Sequence, residues 1–517
     1  MRRTKRILSA VLAAALLCAA AAPAAQAQGD LIAADVSGYL NMELGGGWHA
    51  LYFDEETNPA KAFEPASMAG VFSQQTIDQA LGALKKLNFD AAVTTLIDAL
   101  RAFVWPVRMD ENGESVAKNI SADGNMYKAI QGDTVRFGWD WRLSPIRNAA
   151  RLNDYIQWLR AQRPGDPALE KINFHGMSGS GPVLMAYLAE YGLKDVGSLW
   201  VDITMHNGTS MFGEIAKRKI MLNVEAIAKS DAIGFNELIN YDISFLQPLL
   251  RILYESGLLD ATERTAKLFL NPLIDRIDKE VVTPMFFMMP HLWSYVPAKD
   301  FAAAKKAQLG GDPRYAKLVK QIDDYHTKVQ LRVDELLLDA AQHVKVGVWA
   351  GYGLPLLPLG ANAAVQGDFQ VDTAYASLGA AAAPYGSAFP SCYEQAQGGC
   401  GHDHISPDRL IDASACLLPE QTWFALGKPH SPEYSYSGWY EWFLETPNPT
   451  VHSSAEYPQF VKTVTVAKSG ANGYKGEYVP LVVQPKEETL LDKLKAALLW
   501  ILEHWRRLIR LAFFWVR

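Results

Sequence analysis

A chain of 517 residues that is 49% apolar and carries 14 tryptophans can build a large core, and its net charge of −7 is the wrong sign for a nucleic-acid partner. Four cysteines in that length exclude a disulfide-scaffolded fold. The length fits one large domain with insertions, or two to three domains.

Residues 1–27 read as an export signal. Arg2, Arg3, Lys5 and Arg6 form a basic start, residues 7–20 are uncharged, and Ala25-Gln26-Ala27 supplies the small residues that signal peptidase reads. The apolar run is shorter than the roughly 18–20 residues a membrane span requires. Cleavage after Ala27 and secretion are expected, and the loss of those cations leaves the remainder more acidic.

An apolar stretch at 39–44 leads into Gly45-Gly46-Gly47-Trp48-His49. A strand is expected at 134–138, and a helix at 148–161 through Leu152, Tyr155, Ile156 and Leu159. A second strand at 171–175 ends in a Gly/Ser turn. A helix at 182–191 stops at Gly192, and a third strand follows at 196–203. Short strands alternating with helices imply an α/β fold with a mostly parallel sheet. From 206 to 342 the pattern is helical without strands, as in Leu246, Leu249, Leu250, Leu253 and Leu258, which predicts an inserted helical cap. Strands resume at 344–350 and 422–426. Residues 460–466 and 478–483 flank a Gly-rich turn and predict a small β-hairpin appendix.

The tail, 490–517, sets Leu491, Leu494, Leu498, Ile501, Trp505, Leu508 and Ala512 on one stripe, with Lys495, Arg506, Arg507 and Arg510 interspersed. An amphipathic helix is expected, lying on a membrane surface or docked on the α/β core. The expected division is therefore 28–205 and 343–445 for the two parts of the α/β core, 206–342 for the cap, 446–489 for the appendix and 490–517 for the helix.

The chemistry concentrates in His175-Gly176-Met177-Ser178-Gly179-Ser180-Gly181, entered by a strand and left by a helix. A nucleophile elbow has this context, with small residues two positions either side of the serine so that strand and helix can approach. Ser178 is the candidate nucleophile. Ser180 stands where glycine is usual. The helix start would direct its amides at a developing oxyanion, with the Gly179 N–H as one donor. Gly46, in the early glycine cluster, is the candidate for the other.

Around the elbow, Asp140-Trp141-Arg142-Leu143-Ser144-Pro145, Asp202 to Ser210, Met289 to Pro297 and Val348 to Pro355 follow one another in an order that resembles the lecithin:cholesterol acyltransferase-like branch of the α/β-hydrolases. The resemblance spans about residues 130–430. It implies an α/β-hydrolase fold and a serine hydrolase or acyltransferase acting on lipid or other apolar esters. The family's Gly-Asp-x-x-Val turn matches Gly367-Asp368-Phe369-Gln370-Val371, which makes Asp368 the expected acid and Asp372 its neighbouring alternative. Asp403 and Asp408, in a later turn, are further alternatives. His430, in the loop after the last strand, has the address of the base, with His402 and His404 as rivals.

Gly401-His402-Asp403-His404 packs two imidazoles and a carboxylate too closely to complete a metal site without a distant ligand, so no metal and no other cofactor is expected. Export favours a disulfide between Cys392 and Cys400, with Cys416 left over. A hydrolase-fold protein that lacks catalysis and serves as an extracellular binding module is the competing reading, since fold and chemistry are separate claims.

Overall fold

The computed structural model describes residues 39–45, 88–118, 120–122, 134–220, 278–357, 363–396, 401–430, 438–469 and 473–482, with a few shorter pieces between them. Strands β1 (Leu40–Gly45), β2 (Thr134–Gly138), β3 (Ile172–Met177), β4 (Val196–Asp202), β5 (Lys345–Tyr352), β6 (Thr422–Leu426), β7 (Phe460–Ser469) and β8 (Gly473–Pro480) form one sheet. Its order is β8-β7-β6-β5-β4-β3-β1-β2, and every neighbouring pair is parallel except β7 with β8. The helices that matter for the site are α1 (Pro145–Gln162), α2 (Gly181–Tyr191), α3 (Ser210–Ala216), α4 (Val333–His343) and α5 (Trp439–Glu445).

A parallel sheet needs cover on both faces, and the central strands sort their side chains by parity. Leu199 and Val201 of β4, Val346, Val348 and Ala350 of β5, and Phe424 of β6 join the larger core, to which α1, α2 and α4 contribute Leu152, Val183, Leu184 and Leu337. The alternate residues Trp200, Trp349 and Trp423 make a second core with Trp439 and Phe443 of α5. Trp200 sits opposite Gly347 in register. A Cβ on Gly347 would lie 2.4 Å from that indole, so the missing side chain is what lets the ring lie over β5.

Helix limits follow local chemistry. The Ser144 hydroxyl accepts from the Arg147 N–H at 3.3 Å and Pro145 occupies the first turn of α1, a standard start. Gly192, at φ +67, stops α2.

Two expectations change. The hairpin is not an appendix: β7 pairs with β6, Phe424 opposite Phe460 and Ala425 opposite Val461, so it extends the central sheet. Otherwise β6 would present an open edge with unpaired backbone groups; here Phe460 stacks on Phe424 at 5.5 Å and Val461 is buried. The end of the expected cap also belongs to the core, because α4 packs on α2 and leads directly into β5. Elsewhere, the described parts of 206–342 are helices and turns. The leader, Gly46, the leucine stripe from Leu246 to Leu258 and the 490–517 tail lie outside the described residues. Among the described residues no helix is long and apolar enough to cross a membrane.

Candidate active site

In a parallel sheet the loops after the strands gather at one edge, and ligand sites form there. β3 ends at Met177 in extended backbone, and Ser178 then turns at φ +54 into a short 3₁₀ turn that runs on into α2. A left-handed residue with a Cβ costs roughly 1–2 kcal/mol and persists only where its surroundings hold it. Those surroundings are tight. The Met205 N–H donates to the Ser178 carbonyl at 3.1 Å. A Cβ on Gly176 would fall 2.5 Å from Leu184, and one on Gly181 would fall 2.7 Å from Thr204.

Ser180, the departure from the usual glycine, has its own partners. Its hydroxyl donates to the Leu44 carbonyl at 2.7 Å and accepts from the Trp139 indole N–H at 3.0 Å, in a fully buried position. The serine thereby ties the elbow to the end of β1, where the glycine cluster begins, and to the loop after β2. His291 stacks on Trp139 with centroids 4.4 Å apart, and its Nε2–H donates to the Gly179 carbonyl at 3.2 Å. A Cβ on Gly179 would coincide with the Tyr295 hydroxyl, 2.0 Å away, so glycine is required beside Ser178. Trp139, His291 and Tyr295 were not singled out from the sequence, although they lie within or beside segments that carried the resemblance.

The Ser178 hydroxyl, only partly exposed, lies 2.7 Å from His430 Nε2, and His430 Nδ1 lies 2.8 Å from an Asp368 carboxylate oxygen. The His430 N–H also donates to the Asp368 carbonyl at 2.8 Å, so backbone and side chain fix the ring together. The other Asp368 oxygen accepts from the N–H groups of Gln370 and Val371 at 3.0 and 2.7 Å, across a turn in which Phe369 takes φ +82. Gly351 near the end of β5 makes room: a Cβ there would meet the Lys428 carbonyl at 2.9 Å and the Asp368 Cβ at 3.0 Å. Both side chains of the Asp368–His430 pair are almost wholly buried. A hydroxyl, an imidazole and a carboxylate in this sequence allow the imidazole to take the hydroxyl proton while the carboxylate holds the ring's tautomer.

The other expected acids serve elsewhere. Asp372 accepts from the Ser210 N–H at 2.8 Å, from the Ser210 hydroxyl and from the Thr209 hydroxyl at 3.0 Å, anchoring the start of α3. Burial holds its carboxyl above the ordinary range despite those donors. Asp403 is exposed and accepts from the Ile405 N–H at 3.0 Å within its own turn. Asp408 binds Ser406 at 2.6 Å and Tyr352 at 3.1 Å. The buried His404 meets Gln459 at 2.8 Å, so this rival base is spent on structure.

Cys392 is a free, exposed thiol, so the bridge expected to Cys400 is not formed from it, and Cys400 itself lies outside the described residues. Asp412 holds that loop instead, accepting from the Tyr393 hydroxyl at 2.9 Å and the Ala396 N–H at 2.8 Å. Cys416 is buried, and burial pushes its thiol up to about 12.

The Asp140-Trp141-Arg142 run proves structural. Arg142 donates to both oxygens of Asp140, at 2.9 and 2.7 Å, and to the carbonyl of Ile120 at 3.1 Å and the hydroxyl of Ser115 at 3.0 Å. Burial pushes the Asp140 carboxyl up, and the Arg142 guanidinium and backbone N–H together with the charge of Arg151 more than offset it, leaving the group below its ordinary value. Compared with protein-family models and with curated proteins, the chain matches none.

Proposed function

We propose that this protein is a secreted serine hydrolase of α/β-hydrolase type, acting on lipid or other apolar esters through an acyl-Ser178 intermediate. The observation that carries the reading is the hydrogen-bonded chain from Ser178 through His430 to Asp368, with its serine held at φ +54 on a strand-to-helix turn. The segment 206–342, apart from α4, is the cap in this reading. Its methionines and phenylalanines, Met211, Phe212, Met285 and Phe286 among them, suit an acyl chain.

Ser178 Oγ attacks the ester carbonyl carbon while His430 Nε2 takes its proton. The resulting oxyanion faces the Gly179 N–H at the start of the turn. Collapse breaks the bond to the alcohol oxygen, which leaves with the proton from His430. Water, deprotonated by the same nitrogen, then attacks the acyl-Ser178 carbonyl and releases the acid; an acceptor alcohol in place of water makes the step a transfer. Asp368 stabilises the imidazolium in both halves.

Fluorophosphonate labelling of the purified protein, with mapping of the modified residue, tests the reading. Label on Ser178 is expected, with loss of label and of ester turnover in Ser178→Ala at an unchanged melting temperature. A folded wild-type protein that takes no label, or Ser178→Ala that keeps turnover, overturns it. The tail adds a membrane-surface contact to this proposal: removing the residues after Glu488 should reduce co-sedimentation with anionic vesicles.

A further inference from the structure

The loop that looked short of a metal ligand acquires two. His402 and His452 lie face to face, ring centroids 3.7 Å apart and planes at 24°. A ring nitrogen of each and a carboxylate oxygen of Glu420 all lie within 4.8 Å of one another. His402 and His452 are exposed and Glu420 is half-buried. Among the described residues, none of the three side chains makes a hydrogen bond or an ion pair, so all three donors are unspent.

The segments that carry them are held together without a metal. Glu420 lies in the turn Pro419–Gln421 just before β6, and its carbonyl accepts from the Val451 N–H at 2.8 Å, which sets His452 beside it. Gln459 donates to the carbonyls of Pro419 and Thr422 at 2.9 and 3.1 Å, and its amide oxygen meets His404 Nδ1 at 2.8 Å. The 401–404 loop is thus tied to the same turn. A set prepared in this way loses little freedom when an ion arrives.

We propose that His402, His452 and Glu420 bind a divalent late first-row transition-metal ion, zinc by its donor set, with water completing a tetrahedron. Two imidazoles and one carboxylate suit zinc, whereas magnesium and calcium prefer all-oxygen shells. Glu420 precedes β6 and His430 follows it, so the ion would sit at the opposite end of that strand, roughly 17 Å of extended chain away from the serine site. It therefore acts as a clip that joins two loops to the start of β6 and takes no part in chemistry at Ser178.

The test uses full-length protein stripped with a chelator, then dialysed against zinc chloride or magnesium chloride, with metal content and melting temperature read together. One equivalent of zinc and a raised melting temperature are expected, with no response to magnesium. His402→Ala, His452→Ala and Glu420→Gln should each lower zinc affinity by at least about tenfold, since even indirect partners of a metal site are worth ~10–100-fold. His402 is exposed, so its replacement leaves the metal-free melting temperature unchanged and a lost response is read as lost binding. A wild-type protein that takes up no zinc, or variants that bind it as tightly as the wild type, overturns the assignment.

Discussion

Ser180 shows how much a single hydroxyl can carry beside Ser178. It donates to Leu44 and accepts from Trp139 with no access to water. Ser180→Ala leaves the buried Trp139 indole N–H without its partner, which costs about 1–3 kcal/mol. Urea unfolding should show that loss, and the glycine of the usual motif should show it too. The buried imidazoles make a different prediction. Burial pulls His206 and His291 down to about 4, whereas in the unfolded chain they titrate near 6.5. Below 6.5 the unfolded chain binds protons that the folded chain refuses, so their contribution is complete above 6.5 and is lost as the pH falls towards 4. The raised Asp372 carboxyl works in the opposite sense. Thermal melts across that range should fall with acid, and His291→Gln should flatten part of the slope.

At this scale the site was largely legible. Ser178, Asp368 and His430, named from motif and address, are the residues the structure brings within hydrogen-bond distance. A nucleophile turn is encoded locally, in small residues at fixed offsets. Asp368 was legible only through the order of family-like segments, since Asp372, Asp403 and Asp408 all look alike as turn formers. The partners of Ser180 and of His402 were not legible, because they come from residues far away in the chain.

Among the elements, the Asp140–Arg142 pair is the clearest fastener. One guanidinium makes five hydrogen bonds: two hold Asp140, and three join the loop after β2 to the 107–120 segment, the longest of them to the Val107 carbonyl at 3.5 Å. Arg142→Ala strands a carboxylate in the core, and breaking a buried pair from one side costs roughly 3–5 kcal/mol. Denaturant unfolding should show a loss of that size, and Asp140→Asn combined with Arg142→Met should recover much of it. The strands themselves were readable from short apolar runs between turn signals: 134–138 and 422–426 match their observed limits, the other core strands shift by a residue or two, and the hairpin strands expected at 460–466 and 478–483 run from 460 to 469 and from 473 to 480. What could not be read was attachment. Alternation reveals that 460–466 is a strand, but its pairing with β6 depends on a neighbour more than thirty residues earlier. For α4 the helical period was plain, and only packing shows that it covers the sheet.

For the whole molecule, the parity of the central strands separates two environments. One face turns towards α2 and α4, close under the elbow; the other collects Trp200, Trp349, Trp423 and Trp439, with successive ring centroids 5.3 to 6.1 Å apart. Indoles this close couple their electronic transitions, so the protein carries a built-in optical gauge of its own sheet. Near-ultraviolet circular dichroism, which reports fixed tertiary packing, should carry a strong contribution from this cluster on the side of β4, β5 and β6 away from the larger core. The integrity of the sheet can therefore be followed by the loss of that coupled signal on unfolding, without a label.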